Sequence, residues 1–592
     1  MYLISARVKA GKRDTSHEAR TMSEFRPLTL INLRGKSFGS YLQEILIAEG
    51  LPYVHVTGDP GALTVEKNPV VVLPAGHIGL AEIGHLLSLA GDGALLISIR
   101  PTTDLQAKLG LETLGELEEA YLSFPPSGPI QIHSPSDIYD CGGWEVLADL
   151  YSRGDEMEGP GVMTSGFGSG RVTVIPFDLP RSVVLTRQGN PAWVDSKGDD
   201  WLGGVRPGDL FCRLDGKSWL DTGNAGIPQA DILQRFLVDL IISQSGISLP
   251  RTWYFPSMER TSVTIVADSD SATPRELAVE TELVRKHGGV YSLYLIDKTL
   301  ELFTAEEMSG FLESGNEASI HPDYNRFGDP LRPRGETMRK LYEDMVVRFE
   351  GRYGIRPVTI RNHSTVWCGW VDVPRVEMDL GISLDNNYGY PPWFGQERYG
   401  GPAIGYITGS GQPQRFCDLD GDVIDVYQIE QNLEDEILLP RKGLDITGEK
   451  AARSLADFVE ASLDGNYSHV IACFHPITVS SNPEARRALE GFLSYCEHNS
   501  HKLRTLREVE QFANTRRDVC FEMFQREGSS LYFEVSGPPE VTQRGVSIII
   551  PGNSTRSVET DLENLIWERT DLWGREYLCA TPEQLPISVR IS

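Results

Sequence analysis

Cysteine pairs, excess basic charge and long apolar runs are all missing from this chain of 592 residues. The eight cysteines form no Cys-x-x-Cys pair, which argues against a zinc ribbon, and their scatter predicts reduced thiols. Lysine and arginine number 55 against 83 acidic residues, a net charge of −28. Because phosphate binding needs basic patches, we expect no nucleic-acid partner. No run approaches the ~18 apolar residues of a membrane span, so none is predicted.

The start of the chain carries no recognisable targeting signal. Its first apolar run is too short for a secretion signal, so we expect a cytoplasmic protein with a flexible tail over residues 1–25. The hydrophobic fraction of 40% is that of an ordinary globular protein. A length of 592 residues predicts two to four domains. Self-association as a homo-oligomer is left open.

Residues 26–245 alternate short apolar runs with helical patterns, which predicts a parallel α/β sheet. In its segments VVVLPAG (70–76), GALLISIRP (93–101) and GSGRV (168–172), this region resembles proteins with the class I glutamine amidotransferase-like fold. That resemblance implies a flavodoxin-like, doubly wound domain. Active members carry a nucleophilic cysteine on a sharp turn. Here His77 stands where the thiol is required, and Cys141 lacks the strand-turn-helix context, so a non-catalytic domain is expected.

The second half of the chain predicts two further domains. Residues 254–515 contain six or seven strand-helix units, which fits an α/β barrel because such barrels use ~250 residues. Residues 516–592 become strand-like and predict a small β-sandwich. The segment around 246–253 between the α/β regions is predicted to be a linker. An Asp-rich loop at 418–422 lacks the glutamate of a calcium loop, so a hairpin turn is expected.

Polar side chains follow several of these apolar strands directly. Asp268 and Asp270 come after one strand, His321 after another, and His475 after a third. A fourth segment, containing His363, fits the same scheme. Since catalytic residues of α/β barrels lie at the carboxyl ends of the strands, these side chains predict one site. Carboxylates together with histidines indicate a metal-dependent hydrolase.

Residues 254–515 resemble the polysaccharide deacetylases, NodB-like carbohydrate esterases with an irregular (β/α)7 barrel. The segment VADSD (266–270) occupies the position of the family's Thr-Phe-Asp-Asp-Gly motif. The resemblance implies that Asp268 is the general base and Asp270 a metal ligand, although the two roles could be exchanged. His321 matches the first histidine of the family's His-Ser/Thr-x-x-His motif, whereas Asn325 occupies the second position. We therefore expect Asp270, His321 and His363 to bind the metal, with Asn325 as a reserve ligand.

The remaining family motifs supply the other proposed roles. Arg361 matches the arginine that holds the base, and His475 matches the histidine of Leu-x-His, the general acid. Asp385 corresponds to an acidic motif near the substrate. Aromatic residues could stack sugar rings or, equally, cap the barrel. The expected substrate contacts are Asp385, Tyr388, Trp393 and Trp367.

The resemblance implies a metal-dependent hydrolase that removes N-acetyl or related acyl groups from an amino sugar or glycan precursor. Its cofactor would be a divalent metal, with zinc expected. Two alternatives stay open. One is a glycan-binding pseudoenzyme that has lost the metal. The other is a glycoside hydrolase, which needs a second carboxylate such as Asp323 or Asp385 opposite Asp268. Together these predictions describe an irregular (β/α)7 barrel preceded by a flavodoxin-like α/β domain and followed by a β-sandwich.

Overall fold

The computed structural model of the chain describes residues 25–32, 37–57, 60–125, 127–153, 156–198, 204–213, 217–324, 335–389, 404–439, 444, 446–552 and 555–592. The predicted tail (1–25, except residue 25), Asn325 and Trp393 lie outside these residues. The described chain forms two compact units. Unit 1 comprises 1–182, 234–253 and 515–592, and unit 2 comprises 183–233 and 254–514. Each unit is assembled from segments that are distant in sequence, and the boundaries 26–245, 254–515 and 516–592 stay predictions.

The first part of the chain is rich in strands, and α-helices connect several of them. The strands are β1 Thr29–Asn32, β2 Val54–Thr57, β3 Val70–Leu73, β4 Leu95–Ile99, β5 Thr113–Leu117, β6 Ala120–Phe124, β7 Ser127–Ile132, β8 Ser136–Tyr139, β9 Glu145–Tyr151, β10 Met157–Phe167, β11 Gly170–Ile175 and β12 Arg251–Thr252. The helices are α1 Leu42–Ala48, α2 Leu80–Gly91, α3 Thr103–Leu109, α4 Leu179–Gln188 and α5 Gln229–Ser245.

The middle part alternates strands and helices. Its strands are β13 Ser262–Asp268, β14 Ser292–Leu295, β15 Glu317–Ile320, β16 Thr359–Ile360, β17 Leu384–Gly389, β18 Gln414–Cys417, β19 Val423–Gln431, β20 Leu433–Glu434 and β21 His469–Phe474. Its helices are α6 Pro274–Lys286, α7 Ala305–Glu313, α8 Gly335–Tyr353, α9 Asp372–Asp379, α10 Gly448–Ala461, α11 Pro476–Ser481, α12 Pro483–His498 and α13 Leu506–Arg517. Two of these helices begin with a capping box, in which Thr273 pairs with Glu276 and Thr304 with Glu307.

The last part of the chain returns to strands. They are β22 Cys520–Glu527, β23 Ser530–Ser536, β24 Ile548–Pro551, β25 Val558–Thr560, β26 Glu568–Leu572, β27 Arg575–Ala580 and β28 Ile587–Ile591, with one helix, α14 Pro539–Gln543. None of the helices in the described ranges is long and apolar enough to cross a membrane.

Unit 1 contains a nine-stranded sheet in the order β2-β1-β3-β4-β11-β10-β9-β6-β7. Its first five strands are parallel, and β10, β9, β6 and β7 continue it antiparallel. The β10–β11 hairpin turns at Gly168, whose φ of +58° favours glycine. A Cβ there would stand 2.4 Å from the Gly91 carbonyl oxygen, so the close approach also requires glycine.

The C-terminal strands of unit 1 form two four-stranded sheets, β12-β24-β27-β26 and β22-β23-β28-β25. Apolar residues of both sheets share one core, including Phe533 and Val589 from one sheet and Ile550 and Leu578 from the other. Strand β12 falls inside the predicted linker at 246–253, and Trp253 beside it is fully buried. That linker prediction was therefore wrong, because the segment completes a sheet with residues ~300 positions later in the chain.

Unit 2 is a mixed α/β structure built on a curled, largely parallel nine-stranded sheet in the order β18-β19-β17-β16-β15-β14-β13-β21-β20. Only β18 runs antiparallel to its neighbour. Alternate side chains of the strands, such as Val266, Tyr294 and Ile471, pack on Leu506 and Val509 of α13. This apolar layer leaves the carboxyl ends of the parallel strands for polar side chains. The loop at 418–422 joins β18 and β19 as a hairpin turn, in which the Asp418 nitrogen donates to the Asp422 carbonyl oxygen over 2.9 Å.

A buried ion pair within unit 1 generates a stability prediction. The Arg251 guanidinium lies 2.5 Å from the Glu49 carboxylate, and both side chains are at most 2% exposed. We expect Arg251→Met to lower the free energy of unfolding by about 3–5 kcal/mol, because it removes the guanidinium that offsets the buried charge of Glu49. Urea-induced unfolding followed by fluorescence measures this change. Arg285→Met, which breaks an exposed pair with Glu282, is the control and should barely move the midpoint. Equal effects of the two substitutions would contradict the prediction.

Candidate active site

The carboxyl ends of four parallel strands bring the sequence-predicted residues together in unit 2. Strand β13 pairs with β21 on one side and β14 on the other, and β14 leads through β15 to β16. Asp268 ends β13, whereas His321, Arg361 and His475 each follow the last residue of their strand. Since parallel strands end at the same edge of a sheet, residues up to 207 positions apart in sequence become neighbours here.

Asp268 and Arg361 form a buried ion pair at the centre of the site. The Arg361 Nε donates to Asp268 Oδ2 over 2.6 Å, and both side chains are at most 4% exposed. The Cys473 thiol lies 3.5 Å from the same oxygen. Burial alone would raise the pKa of Asp268, but the charges of Arg361, His321 and His475 outweigh it and hold that pKa below its usual value. The Asp268 carboxyl is therefore ionised at neutral pH.

Asp270 lies two residues later in a turn with a left-handed backbone, at φ +42°. The preceding Ser269 is anchored on both sides, because its Oγ hydrogen-bonds Thr299 Oγ1 at 2.5 Å and accepts from the Ile296 nitrogen at 3.1 Å. This turn brings Asp270 Oδ1 to 3.3 Å from His321 Nε2 and 3.7 Å from His363 Nε2. One carboxylate oxygen thus faces two imidazole nitrogens.

The other ring nitrogen of each histidine is already engaged. His321 Nδ1 lies 2.8 Å from the Arg361 carbonyl oxygen, which can only accept, so Nδ1 carries the proton. His363 Nδ1 lies 3.0 Å from Asp323 Oδ1. Burial lowers the pKa of His363, but the hydrogen bond and charge of Asp323, with Asp270, raise it overall. Outer partners of this kind orient metal-binding histidines in proteins.

The Asp270, His321 and His363 side chains fit a divalent metal by their donor chemistry. Asp270 Oδ1 is buried and has no hydrogen-bond partner among the described residues, although two imidazoles face it. A nitrogen-rich set of two histidines and one carboxylate suits zinc and several other divalent ions. Within the described ranges, however, no group of three or more His, Cys, Asp or Glu side chains already stands at metal-binding distances.

His475 lies across the site from this group and is oriented by Asp435. The Asp435 carboxylate accepts from His475 Nδ1 at 2.7 Å and from the His475 backbone nitrogen at 2.9 Å. Burial would lower the pKa of His475, but the Asp435, Asp270 and Asp268 carboxylates raise it well above its usual value. The His475 Nε2 points into the site, 3.9 Å from Asp270 Oδ2 and 4.0 Å from Asp268 Oδ2.

Three acidic residues of this site were not predicted in these positions: Asp323 as the partner of His363, and Glu434 and Asp435 beside His475. Glu434 and Asp435 could have been predicted from the sequence, because they form an acidic pair directly after the run 423–433, near the ends of β19 and β20. That run interleaves apolar residues with Gln, Glu and Asn, so it does not resemble a buried strand, and its end was missed.

The predicted substrate contacts need correction. Trp367 and Tyr388 are at most 1% exposed and pack edge to face, with ring centroids 5.3 Å apart. Asp385 is fully buried and hydrogen-bonded to Asn387, and burial raises its pKa to about 6. These three side chains belong to the interior of unit 2 as the described residues pack, which argues against direct contact with a substrate. The same burial removes Asp385 as the second carboxylate of a glycosidase, while Asp323 is bonded to His363.

No protein-family model matches the chain, and no curated protein matches it. The similar solved structures include a Mycobacterium smegmatis protein assigned as a polysaccharide deacetylase, with TM-score 0.33 and 14% identity over 47% of this chain and 97% of that one. A CE4 family pseudoenzyme from Bacillus anthracis has TM-score 0.28 and 9% identity, over 43% of this chain and 66% of that one.

A third similar structure is an exo-β-1,4-mannosidase from an Opitutaceae bacterium, with TM-score 0.23 and 17% identity over 27% of this chain and 32% of that one. At such TM-scores these likenesses assign no activity to the chain. The comparisons give no support to the glutamine amidotransferase-like prediction for the N-terminal region. The case for a function therefore depends on the residues of the site.

The contact between Asp435 and His475 generates a titration prediction. We expect Asp435→Asn to lower the pKa of His475, because the variant lacks the negative charge that favours the imidazolium while burial still opposes it. The pKa of the His475 ring is measured by NMR titration in metal-free protein. Asp425→Asn, on the exposed side of β19, is the matched control and should leave the His475 titration in place. An unchanged His475 pKa in Asp435→Asn would refute the electrostatic role of this carboxylate.

Proposed function

We propose that this chain is a metal-dependent hydrolase that removes N-acetyl or related acyl groups from an amino sugar or glycan precursor. The observation that carries the proposal is the meeting of three kinds of group at one sheet edge. An ionised carboxylate held by arginine, a facing set of one aspartate and two histidines, and a carboxylate-bound histidine lie within about 4 Å of one another. General base, metal site and general acid are the parts that hydrolysis of an acyl bond needs.

The proposed ligands of the metal are Asp270, His321 and His363, with Asn325 kept as a further candidate. When bound, a divalent ion such as zinc would polarise the acyl carbonyl and a water molecule. The hydrogen bond from His321 Nδ1 to the Arg361 carbonyl supports this assignment, because it turns the Nε2 lone pair toward Asp270. Asp323 does the same for His363.

Asp268 is the proposed general base. Its Oδ2 is held by Arg361, whereas its Oδ1 is buried without a hydrogen-bond partner among the described residues and can receive a proton from water. His475 is the proposed general acid, since Asp435 keeps its Nδ1 protonated and its raised pKa keeps Nε2 protonated as well. The two pKa values move apart in the directions that let a charged base and a charged acid coexist at neutral pH.

Two finer features of the fold belong to the same proposal. In unit 2, β19 pairs with β17, and β20 begins two residues after β19 ends and pairs with β21. Seven parallel segments would then close on themselves as an irregular (β/α)7 barrel. In unit 1, the parallel strands follow the order β2-β1-β3-β4-β11, which is the order of flavodoxin-like folds. No activity is proposed for that region.

Metal content tests the proposed ligand set. We expect about one divalent ion per chain after dialysis of the wild-type protein against a weak chelator, and loss of that ion in His321→Ala, because only two ligands then remain. Metal analysis by mass spectrometry measures both. His498→Ala removes an exposed histidine and is the control that should keep the ion. Metal-free wild-type protein that also takes up no added zinc, cobalt, manganese or nickel would overturn the assignment and favour the glycan-binding pseudoenzyme.

Kinetics test the two proton-transfer roles. We expect Asp268→Asn and His475→Ala each to lower kcat by about 10²–10⁴-fold in release of acetate from N-acetyl sugars, the usual contribution of a general base or acid. Asp379→Asn, at an exposed surface position, is the control. Metal content is measured alongside, since a loss of activity that followed loss of metal would have another cause. Full activity in either variant would contradict the role proposed for that residue.

A further inference from the structure

Glu434 borders the proposed site and has no role in the mechanism described so far. It ends β20, one residue before Asp435, and its side chain is 13% exposed. Its Oε1 lies 4.0 Å from His475 Nε2. Its Oε2 accepts a hydrogen bond from Gln431 Nε2 at 3.1 Å. The carboxylate is thus held in place by one oxygen and presents the other toward the proposed general acid.

Three carboxylate oxygens surround His475 Nε2 at nearly equal distances of 3.9–4.0 Å, from Asp268, Asp270 and Glu434. None is within hydrogen-bond range of that nitrogen. The Asp268 oxygen already accepts from Arg361, and Asp270 is a proposed metal ligand. Of the three, Glu434 Oε1 is the acceptor that neither a protein donor among the described residues nor the proposed metal uses. Glu434 is therefore the group available to a ligand beside His475.

An atom can contact His475 Nε2 and Glu434 Oε1 at the same time. Hydrogen bonds of about 2.9 Å from each reach a common point, because the two atoms are 4.0 Å apart. His475 Nδ1 is engaged by Asp435, so the leaving atom of the substrate must meet Nε2. A leaving atom at that common point also lies within hydrogen-bond range of Glu434 Oε1.

We propose that Glu434 accepts a hydrogen bond from the leaving nitrogen of the ligand and so makes the site selective for amides over esters. The inference deepens the hydrolase proposed above and, for its catalytic part, rests on it. An amide nitrogen carries an N–H that Glu434 can accept, whereas the oxygen of an ester carries only lone pairs. An ester in the same position would leave the Glu434 carboxylate without a donor and place two acceptors against each other.

The proton balance of amide hydrolysis agrees with this role. Water adds to the acyl carbon and passes one proton to Asp268, while His475 delivers a proton to the nitrogen as the C–N bond breaks. The products are the carboxylic acid and an amine that retains its original N–H, so the contact with Glu434 persists from substrate to product. Protonation of the released amine adds a positive charge beside the carboxylate. Glu434 then favours the ammonium product electrostatically.

The environment of Glu434 suits a cationic or N–H-bearing ligand. Burial and the charge of Glu436 raise the pKa of Glu434 to about 7, although Arg361 and His475 oppose the shift. A ligand that brings an N–H or a positive charge therefore favours the ionised form of this carboxyl, which is the form that only accepts hydrogen bonds.

The test compares an amide and an ester of the same shape, methyl 2-acetamido-2-deoxyglucoside and methyl 2-O-acetylglucoside, with wild-type, Glu434→Leu and Glu434→Gln protein. We expect Glu434→Leu to lower kcat/KM for the amide by about 10- to 100-fold and to leave the ester unchanged or faster, because a hydrogen bond to a charged group is lost. Glu434→Gln keeps an acceptor oxygen and should recover part of the amide preference. Glu449→Gln, which removes an exposed charge in the first turn of α10, is the control and should keep the wild-type ratio.

A binding measurement separates failure of this inference from failure of the hydrolase proposal. Calorimetry compares methyl 2-amino-2-deoxyglucoside with methyl glucoside in wild-type and Glu434→Leu protein, and thermal melting checks that the variants fold. Hydrolysis of the amide with an unchanged amide-to-ester ratio in Glu434→Leu overturns the role of Glu434 and leaves the hydrolase intact. No hydrolysis but amine binding that depends on Glu434 overturns the hydrolase and keeps the nitrogen contact. Neither hydrolysis nor amine binding overturns both.

Discussion

The buried ion pair of Asp268 and Arg361 is the interaction on which the candidate site depends. Two charges removed from water need each other and need further hydrogen bonds, since an unpaired buried charge costs several kcal/mol. Arg361 meets this need with Nε on Asp268 and Nη1 on the Asn386 carbonyl oxygen. Its own carbonyl oxygen accepts from His321 Nδ1. One residue therefore fixes the proposed base through its side chain and a proposed metal ligand through its backbone.

The sequence predicted the centre of this site because polar residues after apolar strands have a simple structural meaning. Asp268 and His475 each follow a continuous apolar or β-branched run. The parallel pairing of these strands, and of the short strand before His321, brings their ends together. Asp435 was missed because the strand β19 shortly before it mixes polar and apolar residues. Trp367 was predicted to contact substrate but is buried. The sequence of a loop does not show whether tertiary packing exposes or buries an aromatic side chain.

The fold could be predicted only in part, because strand pairing between distant segments leaves no local pattern in the sequence. Buried parallel strands such as Val70–Leu73 and His469–Phe474 have a strong sequence signal, because every residue of each is buried and nearly all are apolar. Half-exposed antiparallel strands such as Glu145–Tyr151 carry a weaker pattern. The two residues of β12 show no strand pattern in the sequence, since they form a strand only by pairing with β24, far along the chain. The division into two units follows from such pairings and has no local signal.

At Asp270, backbone strain and the electrostatics of the side chain act on stability in opposite directions. A left-handed conformation costs a residue with a side chain about 1 kcal/mol relative to glycine, which adopts it freely. Glycine at 270 would relax the turn, but it would also remove the negative charge that faces His321, His363 and His475. These histidines lower the pKa of Asp270 despite its burial, so the folded protein stabilises the charged carboxylate. The strained turn is therefore tolerated because neighbouring imidazoles stabilise the charge it presents, and variants selected only for heat resistance would be expected to keep an acidic residue at this position.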